Sequence, residues 1–575
     1  MNPFAPEPRS PRFVATARVV LAGALALFLL RLTASVESLA ASAENSSHPE
    51  TLPRVSVKDF GAKGDGIADD RPAIQAAIDS LTNGGTVSFP AGDYLMDSYI
   101  TAKSADNFNL VTSHDNLTFE PAPGTPADGV RLIQGPHGWG TLPHRTFGPL
   151  AVFNSEFFLA SPIGQNGYQN IHQNGGYFTL RGPISAQSRS VSFATKTDAG
   201  KFTEGDWIAV SETTDQQIEP LEINQVVSAN AETGVVELRW PQTQPYPTGF
   251  AAKVTRMVRS NITVRGLTLQ GVIPIFLNDL YNFNMIDCKV VCDVTYVAPQ
   301  KRGIYVFANA VRKMLFKDNV VSDYPPGSVA DVNGIELPQN NSMDITIEHN
   351  TFLAPAGGGE YWAHWVFKDN SFQISAPPSG KRHGLCLQGY DILFEGNTLT
   401  STASMDYLYT DFSTAPNPYK WLFGAQKIRD NRFTSAAGAC AVRIYTPDTE
   451  FSGNVVISGP QQHALLVTIS GKPHEDISRS EVRATNVITN NTFHCAITSP
   501  FGCALLSGPS LAGITFSGNS LVGHNHSAYG VWIENDARDG TQGTPAVDGN
   551  HYEGFLTPVF HAPPKVEEIP KKAGK

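Results

Sequence analysis

Charge is scarce in this 575-residue chain: Asp, Glu, Lys and Arg together make up 17%. Basic residues are the minority, 42 against 53 acids, for a net charge of −11. A nucleic-acid binder needs a basic face, so nucleic acid is not an expected partner. Long apolar runs are nearly absent as well. The one run, Val19 to Leu30, is short for a membrane span and is closed by Arg31. Arg9, Arg12 and Arg18 precede it and small residues follow as far as Ala43. That arrangement predicts a secretory signal over residues 1–43. After its cleavage no stable membrane span is expected, and the protein is expected to be secreted, periplasmic or at the cell surface. There are six cysteines. Cys495 and Cys503 are close enough in sequence to close a small loop in an oxidising compartment. Cys288-x3-Cys292 has no second pair or His nearby, which leaves a zinc site unsupported.

Helical periodicity is lacking through the second half, and a short repeat takes its place. An apolar residue, two positions, an Asn, one position and another apolar residue recur at Asn319, Asn350, Asn370, Asn397, Asn431, Asn454, Asn491, Asn519 and Asn550. Cys288 fills the Asn slot one unit earlier, and Gly266 is expected to fill it before that. Successive slots lie 20 to 37 residues apart. Such a period with alternating apolar residues predicts a coiled stack of strands. About ten coils, each rising by about 4.8 Å, give a rod on the order of 50 Å long. The Asn residues are expected at turns, bonding to one another coil above coil, and so belong to structure.

A second strand follows the Asn in most coils. Period-two alternation turns its aliphatic residues inward and leaves Tyr305, Glu336, Cys386, Tyr409, Arg443 and Trp532 as an outward stripe. Gln388, Asp411, Tyr445 and Glu534 form a second column beside it.

At the N-terminal end, Ile74, Ile78 and Leu81 share one face of a predicted helix that should plug the open stack. Around it stand Asp59-Phe60-Gly61-Ala62-x-Gly64-Asp65-Gly66-x2-Asp69-Asp70, then Gly-Gly-Thr-Val and Pro-Ala-Gly-Asp-Tyr. This stretch resembles the N-terminal signature of the pectate lyase superfamily, which includes polygalacturonases, alginate epimerases and phage tailspikes. The resemblance implies an all-β fold: a right-handed single-stranded parallel β-helix with an N-terminal capping helix. The rod is expected over residues 54–555. A small β insertion at about 195–259 breaks the rhythm, and 556–575 is expected to be a flexible tail.

The resemblance implies a carbohydrate substrate but not one reaction. His383-Gly384 and Arg443-Ile444 are similar to polygalacturonase motifs, with Tyr445 where that family has Lys and Asn333 where it has an acid. Hydrolysis of a glycosidic bond needs paired carboxylates. Glu336 and Asp411 are the expected pair, with Glu360 as a rival and His383 beside them. Arg443, Tyr445, Tyr409, Tyr305 and Trp362 are the expected substrate contacts, since a guanidinium fork holds carboxylate or hydroxyl groups and flat rings match sugar faces. The favoured expectation is thus a glycoside hydrolase that binds a polysaccharide or oligosaccharide and needs no cofactor. The alternatives are a lyase or epimerase on a uronate polymer, with Ca²⁺ as the charge neutraliser of a lyase, and a non-catalytic carbohydrate-binding rod. The Asp-Pro-His motif of alginate epimerases is absent.

Overall fold

The computed structural model describes residues 52–562, interrupted most widely at 98–109, 136–149, 153–177, 212–220, 294–305, 325–341, 375–382, 411–423, 469–484 and 536–542. The expected signal segment, 1–43, lies outside the described residues. The described elements all belong to one unit, which begins at Arg54.

The chain winds into coils whose strands pair in parallel with those of the coils before and after. One face runs through Arg259–Arg265, Ile275–Ile286, Val306–Lys317, Met343–Glu348, Gly359–Lys368 and His383–Glu395, each in register with the next. A second face follows the Asn turn, through Lys289–Asp293, Val320–Tyr324, Thr351–Phe352, Ser371–Ile374 and Thr398–Ser404. A third runs through Asp406–Thr410, Cys440–Ile444, His463–Thr468 and Gly502–Gly508. This is a right-handed parallel β-helix.

From Arg259 onward the turn from first to second face takes two residues, and their roles differ. The residue before the Asn adopts the left-handed conformation, as at Asp318 (φ 56°), Asp369 (φ 53°) and Asp430 (φ 57°), or at Gly396 (φ 68°). The Asn itself is buried and bonds along the rod axis. Asn319 Nδ2 donates to Asn350 Oδ1 at 3.0 Å, and Asn397 Nδ2 to Asn431 Oδ1 at 3.1 Å. The ladder continues to Asn550, where Asn519 Nδ2 donates at 3.1 Å. Gly266 takes the left-handed position (φ 63°), so the slot before Cys288 is filled by the buried Leu267 and not by Gly266. Glycine marks the strained half of the turn, not the ladder.

Inside the rod, rings pile up. Phe352, Phe372, Phe394, Phe433, Phe451, Phe493 and Phe516 stack in order, with centroids 4.6 to 6.5 Å apart. Each is buried and contributes roughly 1.5–3 kcal/mol by leaving water. Trp365 fills an inward slot and donates its indole N–H to Ser342 O at 2.9 Å. Cys495 and Cys503 are separate buried thiols, so the expected loop closure is not made.

The helix Arg71–Asp79 covers the N-terminal end with Ile74, Ala77 and Ile78. The acids of the signature are absorbed by backbone. Buried Asp70 accepts from the Lys63 and Gly64 amides, and Asp65 Oδ1 from those of Ile67 and Ala68. Gly64 (φ 61°) has no room for a side chain, since a Cβ would lie 3.0 Å from the Tyr94 ring.

Between coils stands a six-stranded antiparallel sheet with its own core around Phe193, Phe202, Val236 and Tyr246. Its strands run from Phe178–Thr179 to Phe250–Val254, so it starts earlier than residue 195. At the other end, the strand His551–Ala562 carries the rod past residue 555 into the expected tail. Among the described residues no helix is long and apolar enough to cross a membrane.

Candidate functional site

The third face builds the candidate site. Leu385, Val442, Leu465, Ala504 and Val531 point into the core, because alternate residues of a strand share a side. The positions that follow them form a register column: Cys386, Tyr409, Arg443, Leu466, Leu505, Trp532 and Phe560. Arg443, Leu466, Leu505 and Trp532 are half-buried there. Tyr409 and Arg443 are thus direct neighbours on successive coils, as the stripe predicts.

Arg443 Nη1 donates to the Tyr445 hydroxyl at 3.2 Å. The pair arises locally: two residues on one strand side, separated by the inward Ile444. Further along, Tyr529, Trp532 and Phe560 form an aromatic cluster, with the rings of Tyr529 and Phe560 stacked at 4.4 Å. Glu534 holds the adjacent column, in register with Ser507 and Thr468.

His463 stands two residues ahead of an inward Leu, as His383 does, and sequence reasoning passed it over. Its Nδ1 lies 2.6 Å from Gly502 O. Burial pulls its pKa below the ordinary 6.5, the Gly502 bond opposes this, Arg443 lowers it further and Glu534 raises it. The shared spacing, His-x-Leu in both strands, was the available signal.

The other expected residues fall as follows. His383 is in register with Asp406 of the next coil. Glu360 and Trp362 lie on the strand Gly359–Lys368, whose pairing slips between Gly359 and Trp362 and sets Trp362 against Gly389. Glu336, Asp411 and Tyr305 lie outside the described residues. Among the described residues no group of three or more His, Cys, Asp or Glu is arranged to hold a metal ion. A cavity of 530 Å³ on another part of the rod is lined by Glu120, Arg265 and Asp287, with Arg265 already 3.5 Å from Glu120.

Parts of the chain are similar to known proteins. Residues 54–123 match the family model "Rhamnogalacturonase A/epimerase, pectate lyase-like". The chain is 38% identical over 96 residues to plasmin and fibronectin-binding protein A of Streptococcus pneumoniae, covering 14% of this chain and 13% of that protein. It is 42% identical over 81 residues to mannuronan C5-epimerase AlgE6 of Azotobacter vinelandii, covering 14% and 9%. These alignments therefore span only a small part of the relatives' own length. Among solved structures, the tailspike of Pseudomonas phage phi297 aligns over 87% of this chain and 80% of its own, at 13% identity and a TM-score of 0.47. The A-module of the Azotobacter vinelandii epimerase AlgE4 aligns over 88% and 97%, at 16% identity and a TM-score of 0.36. The chain is a right-handed parallel β-helix whose N-terminal residues 54–123 are similar to the pectate-lyase-like family.

Proposed function

We propose that this chain is an exported enzyme that abstracts the proton beside a carboxylate in a uronate polysaccharide, as a lyase or an epimerase. The observation that carries the reading is the Arg443–Tyr445 pair on the third face. Removing a proton next to a carboxylate needs the carboxylate's charge neutralised while a base takes the proton. Arg443 offers the guanidinium fork for the first task. Tyr445 offers a proton-transfer group for the second; His383 stands two coils earlier. Return of a proton from the opposite face completes an epimerisation; expulsion of the neighbouring sugar oxygen completes an elimination. Two curated names support the substrate class, since relatives include mannuronan C5-epimerases and an alginate lyase of Azotobacter vinelandii. The partners proposed are therefore acidic polysaccharides or oligosaccharides outside the cell.

The test is incubation of the full chain with mannuronan, alginate and polygalacturonate in heavy water. An epimerase incorporates deuterium at the acidic carbon and changes the uronate ratio seen by NMR. A lyase yields an unsaturated sugar that absorbs in the ultraviolet. New reducing ends with neither signal would overturn the proposal and restore the hydrolase reading on Glu336, Asp411 and Glu360. Arg443→Gln and Tyr445→Phe should each lower kcat/KM by about 10²–10⁴, the usual weight of such groups.

A further inference from the structure

The small antiparallel sheet meets the rod through buried charge. Glu222, on its strand Leu221–Asn230, has no exposed surface. Its two carboxylate oxygens accept from the Thr243 amide at 3.1 and 3.0 Å, and Oε2 also accepts from the Thr243 hydroxyl at 3.2 Å and the Tyr246 hydroxyl at 3.3 Å. The charged partner comes from the rod. Arg312, on the strand Val306–Lys317 and 3% exposed, donates Nη1 to Glu222 Oε1 at 2.9 Å. It also donates to Ile223 O at 2.9 Å and Pro241 O at 3.0 Å in the small sheet. Its Nε stands 3.2 Å from Asp344 Oδ2, a charge contact rather than an aligned hydrogen bond. Asp344 Oδ1 in turn lies 2.6 Å from His364 Nδ1 on the next coil. The His364 side chain is 55% exposed. Four groups thus run from the centre of the junction to solvent.

Their charges do not balance. Two carboxylates face one guanidinium, which leaves one negative charge in a chain whose inner end, Glu222, is fully buried and whose outer carboxylate, Asp344, is 28% exposed. Such a charge is costly unless neutralised, and a single proton on His364 or Glu222 neutralises it. The surrounding ions do not supply the missing positive charge. Lys313 stands over the Tyr281 ring, and Arg239 donates to Gln225 Oε1 and faces Trp240. Asp391, facing His364 from the following coil, adds a further negative charge.

We propose that the small sheet is held to the rod by a one-proton latch: it docks while the Glu222–Arg312–Asp344–His364 chain holds a proton and loosens when solvent removes it. When the sheet separates, Glu222 returns to water while Arg312, Asp344 and His364 stay on the rod. Burial pushes docked Glu222 up to about 7 from its ordinary 4.5, against the lowering pull of Arg312. The bond to Asp344 raises His364 on the rod whether or not the sheet is docked, so the difference between the two states lies at Glu222. Docking therefore takes up a proton. Its equilibrium constant falls as pH rises from about 4.5 to about 7, by at most tenfold per pH unit, and levels off above.

The experiment is hydrogen exchange on the full chain across that range, corrected for intrinsic rate by the rod strand Arg432–Ala437. Opening of Leu221–Asn230 should rise about 10- to 100-fold from acid to neutral pH while the rod strand stays flat. Glu222→Gln should abolish the dependence. His364→Gln, a change at an exposed position, should move the midpoint to higher pH, because Glu222 then becomes the remaining seat for the proton. Equal opening at every pH, a dependence that survives Glu222→Gln, or an unmoved midpoint in His364→Gln would each overturn the latch.

Discussion

Asn350 and Asn370, twenty residues apart in the chain, stack one above the other inside the rod: Asn350 donates its amide N–H at 2.9 Å and its Nδ2 at 3.0 Å to the same Asn370 oxygen. Asn370 repeats the arrangement toward Asn397 and donates Nδ2 back to Ile347 O at 2.8 Å. The Asn370 side chain therefore satisfies two backbone groups of the preceding coil, the Asn350 N–H and Ile347 O, and bonds to the Asn397 side chain of the next. Asn370→Ala should cost about 2–4 kcal/mol, because more than one buried polar group loses its partner. Urea unfolding reads this directly. Asn550→Ala, at the end of the ladder and half-exposed, should cost less than half as much.

Ring stacking gives a second expectation. Phe394 touches Phe367, Phe372 and Phe433 with centroids 5.6, 6.2 and 6.5 Å away. Phe394→Ala should destabilise by about 3–5 kcal/mol, since the neighbouring coils are tied by hydrogen bonds and cannot collapse into the space. Thermal unfolding is the measurement.

The outer side of the same coils carries alternating charge: Lys317, Glu348, Lys368, Glu395 and Arg429 follow one another in register. Lys317 Nζ meets Glu348 at 2.8 Å and Arg429 Nε meets Glu395 at 2.5 Å. These side chains remain partly in water, so Arg429→Ala should change stability by less than about 1 kcal/mol. A larger loss in the same unfolding assay would show that the row acts as a network.

His463 predicts a local response to acid. Burial depresses its folded pKa below 6.5. The neutral ring's contribution is present above 6.5 and is lost as pH falls through 6.5 toward the folded value. Exchange of the strand His463–Thr468 should therefore quicken below about pH 6.5, and His463→Gln should remove that step. This sign is opposite to that of the Glu222 latch, so strand-resolved exchange separates the two.

The rod was legible because its signal is one-dimensional. Asn319 to Asn550 repeat in a fixed local frame, and the register confirms Tyr409 beside Arg443. Gly266 misled because glycine marks the left-handed residue, one place before the ladder. The small sheet's start at Phe178 was hidden since its partner, Phe250–Val254, lies some seventy residues away and the first strand is two residues long. The pairing of Glu222 with Arg312 left no trace either. Ninety residues separate them, and nothing around Val311-Arg312-Lys313 distinguishes an inward-tied guanidinium from a solvated one.

The two-residue corner has a consequence for how such a chain can change over time. Coils of 20 and of 37 residues pass through it identically, so each coil is indexed afresh at its Asn. Lengthening or trimming one coil elsewhere leaves the alignment of every later coil untouched. New surface can therefore be added at one level of the stack without renegotiating the rest, which frees each level to diverge on its own.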